Sequence, residues 1–139
     1  MISRTIDMQE MRYLNLFEKI TTVSTRFCFK YNESIVFCVP MNMISRAVGE
    51  NGRNAKKISE VLGRKIKIIS VPKGIENAKK FVQDIVSPVR FRNLEVKNNE
   101  IILTAGSHSK AALIGRNKRR LIELQKISKD YFGKELKIV

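Results

Sequence analysis

The chain has 139 residues and a hydrophobic share of 43%, enough for one ordinary folded domain or two small ones and too much for a disordered chain. Its 27 Lys and Arg stand against 13 Asp and Glu, a net charge of +14, which exceeds what solubility asks for and points to a polyanionic partner, nucleic acid first. A membrane fits poorly: no apolar run approaches the roughly 18 residues needed to span, and no basic stretch carries the bulky apolar face of an interfacial helix.

The opening MISRTIDMQEMR has no continuous apolar region, so no signal peptide is expected and the chain reads as cytoplasmic. Residues 7–21 are good helix formers, and Met8, Met11, Leu14 and Phe17 predict one apolar stripe. TRFCFKY and SIVFCV, on either side of Asn32 and Glu33, have the composition of a β-hairpin and its turn, and Pro40 ends the second strand. Residues 41–48 predict a short helix, Gly49 to Gly52 interrupt it, and 53–62 predict another, with Ile58, Val61 and Leu62 inward and Gly63 as its stop. KIKIISV, residues 65–71, alternates as a half-exposed strand does before Pro72 and Gly74 break the chain.

The same order then begins again. A helix is predicted at about 76–85, then a hairpin of VRFRNLEV and EIILTA turning on Asn98 and Asn99. A short helix at 109–114 meets Gly115, a longer one covers about 118–132, Gly133 stops it, and ELKIV closes as a strand. Helix, strand, strand, helix, helix, strand is thus written twice, predicting an α+β chain of two tandem domains, 1–72 and 73–139, each a three-stranded sheet packed with helices. From Gly49 to Gly63 is 14 positions and from Gly115 to Gly133 is 18. The extra four make about one helical turn, which lengthens a helix without rotating its buried face.

Chemistry concentrates at the two interruptions. In RAVGENGRNAKK, Gly49 and Gly52 bracket Glu50 and Asn51, a GxxG loop followed at once by Arg53, Asn54, Lys56 and Lys57. Glycines let a phosphate approach the backbone, and the next helix offers free N–H groups. In ALIGRNKRRL the loop keeps Gly115, Arg116 and Asn117 but has Lys118 in place of the closing glycine, followed by Arg119 and Arg120. Lys118 is expected to forfeit close backbone approach, leaving charge to act in its place. Residues 41–74 hold 8 basic and 2 acidic side chains and residues 107–139 hold 9 and 3, so the helix–loop–helix halves carry most of the charge. Lys79, Lys80, Lys126 and Lys129 read as ordinary solvated surface.

Catalysis is not expected. The single histidine, His108 in GSHSK, has no partner placed to act with it, and there is no P-loop, HExxH or CxxC. No metal, cofactor or small-molecule substrate is implied. Cys28 and Cys38 are too few for a disulfide framework or a zinc site and read as buried small hydrophobes, a hairpin disulfide being the lesser alternative.

LFEKIT, RFC, AVGENGRNAKKISEVLG and LIGRNKRRLIELQKISKDYFGKELKIV together give the chain a likeness that spans nearly its whole length. The duplicated order with its GxxG loop resembles the type II KH domain, and the chain resembles the archaeal NusA-like transcription factors. That resemblance implies single-stranded RNA lying across each loop, four nucleotides gripped per domain, at Gly49, Glu50, Asn51, Gly52, Arg53 and Asn54 and again at Gly115, Arg116 and Asn117. It also implies a role in transcription termination, antitermination or elongation, for which RNA polymerase is one candidate partner; binding to the polymerase itself is not carried over by the resemblance. The alternative is a factor of ribosome assembly or ribosomal-RNA maturation, with the ribosome as partner, because a fold does not fix a role.

Overall fold

A computed structural model describes residues 6–139; residues 1–5, and with them the start of the MISRTIDMQEMR segment and of the first predicted domain, lie outside the described residues. The described chain divides into two compact units, one ending at Val71 and the other running Pro72–Val139. Each is a mixed three-stranded sheet with helices, and the order of elements repeats.

In the first unit, helix α1 (Met8–Thr21) is started by a capping box in which the Asp7 carboxylate accepts from the Glu10 N–H at 2.7 Å and Glu10 returns the contact to Asp7. It buries Tyr13, Leu14, Phe17 and Thr21, whereas Met8 and Met11 are 77% and 50% exposed. The predicted stripe is corrected here. A constant three-residue spacing falls short of a 3.6-residue turn, so each step backward from Leu14 rotates about 60° off the buried face.

Strands β1 (Phe27–Tyr31) and β2 (Ser34–Val39) pair antiparallel across a two-residue turn, with Asn32 and Glu33 both at positive φ as a type I′ turn requires. Phe37, opposite Cys28, stacks on Phe17 at 4.4 Å, and Ile35, Val39, Ala47 and Ile58 complete that core. Cys28 pairs with Phe37 and Cys38 with Phe27, so the two cysteines point to opposite faces of the sheet; both are buried and they form no disulfide.

Helix α2 (Ile44–Val48) follows a 3-10 turn, and helix α3 (Arg53–Leu62) leads to strand β3 (Ile66–Ser70), which runs parallel to β2. On α3 only Ile58 is fully buried, and Val61, expected inward, is 59% exposed. Val61 stands one turn beyond Lys57, on the side that faces water, while Leu62 stands one turn beyond Ile58.

The second unit repeats this with helix α4 (Ala78–Val86), strands β4 (Asn93–Val96) and β5 (Glu100–Thr104), helices α5 (Ser107–Ile114) and α6 (Arg119–Phe132), and strand β6 (Glu135–Ile138) parallel to β5. Strand β4 begins at Asn93, not Val89. The Val89 N–H turns back to the Val86 carbonyl at 3.0 Å, and the chain joins the sheet only where Arg92 donates to Thr104 at 2.7 Å. Phe81, Ile101, Leu103, Leu113, Leu124, Tyr131 and Leu136 are buried, with Phe81 against Tyr131 at 5.2 Å.

The repeat is metrically close. Phe27 pairs with Cys38, and 66 positions on Asn93 pairs with Thr104. Ile35 pairs with Ile66, whereas Ile101 pairs with Leu136, 70 positions beyond Ile66. The four-residue difference arises inside the helix: α3 has 10 residues and α6 has 14.

Candidate nucleic-acid interface

In the first unit α2 stops at Gly49, whose N–H still bonds the Ser45 carbonyl at 3.0 Å while its backbone swings to φ 81°, ψ 165°. A 3-10 turn over Glu50–Gly52 follows, closed by the Gly52 N–H on the Gly49 carbonyl at 3.0 Å, with Asn51 at φ 57°, ψ 26° and Gly52 at φ 74°, ψ 18°. Asparagine enters the left-handed region more readily than most residues.

The two glycines do different work. A Cβ on Gly49 would stand 2.9 Å from Asn54 Cγ and 3.0 Å from the Asn54 backbone nitrogen. Around Gly52 nothing lies within 4 Å of that position. Gly49 therefore lets the chain pack against itself, and Gly52 leaves its outer side open to a ligand. Asn54 is only partly exposed, and its Nδ2 donates to the Arg46 carbonyl at 3.2 Å, tying the start of α3 to the end of α2.

The second loop follows the same path. Gly115 lies at φ 75°, ψ 172°, Asn117 at φ 57°, ψ 28°, and Lys118 at φ 60°, ψ 21°. At these three positions the largest departure from the first loop is the 14° between Gly52 (φ 74°) and Lys118 (φ 60°). The Lys118 N–H closes the turn on Gly115 at 3.2 Å. A Cβ on Gly115 would meet Arg120 Cγ at 2.6 Å. Arg120 thus occupies the place that Asn54 holds in the first unit.

Electrostatically the loops share a pattern. Glu50, Asn51, Arg53, Lys56, Lys57 and Glu60 line an open groove of about 570 Å³ along α3. Glu60 escaped the sequence reading, although its spacing from Arg53, Lys56 and Lys57 puts it on the same helix face. Among the described residues, Arg53, Lys56, Lys57, Arg116, Lys118 and Arg119 take part in no ion pair, and all six are exposed. Arg120 differs: its guanidinium pairs with Glu123 and its side chain is 14% exposed. The predicted residues are thus gathered at two loops, with Asn54 and Arg120 tucked beneath them.

Elsewhere, His108 is exposed on α5, and the described residues contain no group of three or more His, Cys, Asp or Glu placed to hold a metal ion. No described helix is long and apolar enough to cross a membrane. Lys80 pairs with Asp84 at 2.9 Å and Lys129 with Glu135 at 3.7 Å, as solvated surface charges do.

No protein-family model matches the chain. A protein of Methanococcus vannielii described as a probable transcription termination protein NusA is 28% identical to it over 79% of this chain and 64% of its own length. Proteins of the same description from Methanocaldococcus jannaschii and Halococcus morrhuae are 29% and 23% identical, over 64% and 68% of this chain. The chain spans between 47% and 66% of the length of these curated relatives. Among solved structures, the crystal structure of APE1850 superposes with a TM-score of 0.66 at 25% identity, covering 96% of this chain and 99% of that one. The chain is similar to archaeal NusA-type proteins.

Proposed function

We propose that this NusA-like chain is a cytoplasmic factor that binds single-stranded RNA through two tandem type II KH domains, residues 1–72 and 73–139, and acts in transcription termination, antitermination or elongation beside RNA polymerase. The observation that carries this reading is the first loop, where open space over Gly52 adjoins the exposed, unpaired Arg53, Lys56 and Lys57. A phosphate can reach the Gly52 backbone at the positive end of the α3 dipole, while the cations neutralise its neighbours. Recognition of this kind needs no metal, cofactor or catalytic group. The splayed bases of a single strand remain free to be read by side chains along the groove.

The test is the affinity for a fluorescent single-stranded RNA, measured by anisotropy across a salt series. Binding should weaken steeply as salt rises. The double change Glu50→Asp with Asn51→Asp sets a new carboxylate against the phosphate, yet keeps the backbone path, because aspartate also tolerates the left-handed region. A loss of more than about tenfold is expected; unchanged affinity, or a flat salt profile, would sink the assignment. Co-purification then decides the cellular partner, with RNA polymerase subunits expected in place of ribosomal particles.

A further inference from the structure

The groove along α3 holds a carboxylate where a surface for a polyanion has no electrostatic use for one. Arg53, Lys56, Lys57 and Glu60 share one helix face and line the groove together. Glu60 is exposed and stands within one turn of Lys56 and Lys57, yet it takes part in no ion pair among the described residues. Lysine N-terminal to glutamate is the weaker order for such a pair. A carboxylate left unpaired among these cations reduces their attraction for phosphate, so its place in the groove fits contact with another part of the nucleotide.

The second unit does not repeat this feature. Arg53 and Arg119 each open a helix, and buried Ile58 and Leu124 stand at the same offset from them, so α3 and α6 keep register this far. At that offset Lys56 is replaced by Ile122, Lys57 by Glu123 and Glu60 by Lys126. Glu123 is tied to Arg120, and Ile122 is 58% exposed. At these positions α6 offers a ligand an apolar side chain and a cation, whereas α3 offers a carboxylate without an ion-pair partner.

What such a carboxylate selects follows from the edges of the bases, because it has acceptors and no donor. Guanine presents two adjacent donors, N1–H and an N2–H, on its Watson–Crick edge. Cytosine and adenine set one amino group beside a ring acceptor, and uracil sets one N–H between two carbonyls. Two parallel bonds to one carboxylate are the strong, bidentate arrangement, and the bases of a single strand are open to reading on this edge. Glu60 lies about 10 Å along the helix axis from Arg53, a span comparable with that from a phosphate at the loop to the far edge of its base. We infer that Glu60 makes the first unit select guanine in single-stranded RNA by accepting both Watson–Crick donors of the base; the inference rests on the RNA reading above.

Inosine is guanosine without the N2 amino group, so strands carrying one or the other have the same charge and differ by a single donor group. The probe is a short fluorescent oligouridine with one guanosine, placed at each position in turn, and the binder is the full chain. At one position guanosine should bind about tenfold tighter than inosine, the worth of a hydrogen bond to a charged group. Glu60→Ala keeps α3, since alanine is the best helix former, and should bring that ratio to within about twofold. Plain oligouridine should bind the variant at least as tightly as the parent, because a negative charge has gone. Glu60→Gln retains one acceptor and should give an intermediate ratio. A general charge effect cancels between the two strands, so the ratio reads base contact alone. Equal affinity for guanosine and inosine at every position would overturn the inference while the RNA reading stands on the binding of oligouridine. A guanosine preference that survives Glu60→Ala would overturn the assignment to Glu60. A parent chain that binds none of the strands would take the RNA reading down with it.

Discussion

Alanine at Gly49 and alanine at Gly52 should cost the first unit very different amounts, although the two residues close the same loop. At Gly52 (φ 74°, ψ 18°) the added methyl meets nothing within 4 Å, so the penalty is conformational alone. The left-handed region costs an L-residue about 1–2 kcal/mol, offset by about 0.5–1 kcal/mol because alanine has less freedom to lose on folding than glycine. The net is about 0–1.5 kcal/mol. At Gly49 (φ 81°, ψ 165°) the backbone lies in a corner open essentially to glycine, worth about 1–3 kcal/mol, and the methyl would stand 2.9 Å from Asn54 Cγ. Relieving that overlap means breaking the Asn54 contact to Arg46 or shifting backbone, which adds about 1–3 kcal/mol. A difference of about 2 kcal/mol or more between the two variants follows. Urea titration by far-UV circular dichroism reads it as a shift in midpoint at unchanged slope. Equal destabilisation by the two alanines would refute the division of labour between the glycines.

Removing the Asn54 amide with Asn54→Ala should lower stability by about 1 kcal/mol, the worth of one hydrogen bond, and weaken RNA binding by loosening the loop above it; calorimetry with a parallel anisotropy titration checks both, and unaltered binding would show that the tie to Arg46 does not position the loop. Replacing Arg53, Lys56 and Lys57 by glutamine should leave the fold intact and reduce the slope of log affinity against log salt by about 2, at roughly 0.7 per phosphate contact on a single strand; an unchanged slope would mean these cations do not face the RNA.

Element order was legible because each element carries its own local signal. The Asn32–Glu33 turn, the helix stops at Gly63 and Gly133, and the four residues separating 10-residue α3 from 14-residue α6 are written in turn chemistry and spacing. What failed was orientation. Met8, Met11 and Val61 are apolar and sit near the expected stripes, but a helix face is selected by what packs on it, and a few tens of degrees of rotation leave such residues in water. The start of β4 failed for a similar reason, since the composition of Val89 to Arg92 suits a strand while the Val89 N–H is already spent on the end of α4. At the loops, the residue types marked where the two turns form and left out how two of their side chains pack. Asn54 is expected as a contact from the resemblance and Arg120 from its charge, and both also underpin the turns, a fact that depends on which atoms lie behind Gly49 and Gly115.

That last distinction explains which glycine the second copy could lose. Gly49 and Gly115 each stand against the residue five positions on, Asn54 in one loop and Arg120 in the other, so a Cβ at either position would press on that side chain and crowd the backbone nitrogen behind it. The fourth position faces open space, and its only demand is a left-handed backbone, which the preceding turn can impose on lysine at a cost of about 1–2 kcal/mol. Loss of the fourth glycine is therefore the substitution a loop of this shape tolerates, and loss of the first would dismantle it. A GxxK sequence between two helices preserves the path of GxxG when the first glycine and a left-handed-tolerant third residue, here Asn117, are both in place. The missing glycine in GRNK changes the charge and chemistry of the loop's outer edge while its frame stays the same.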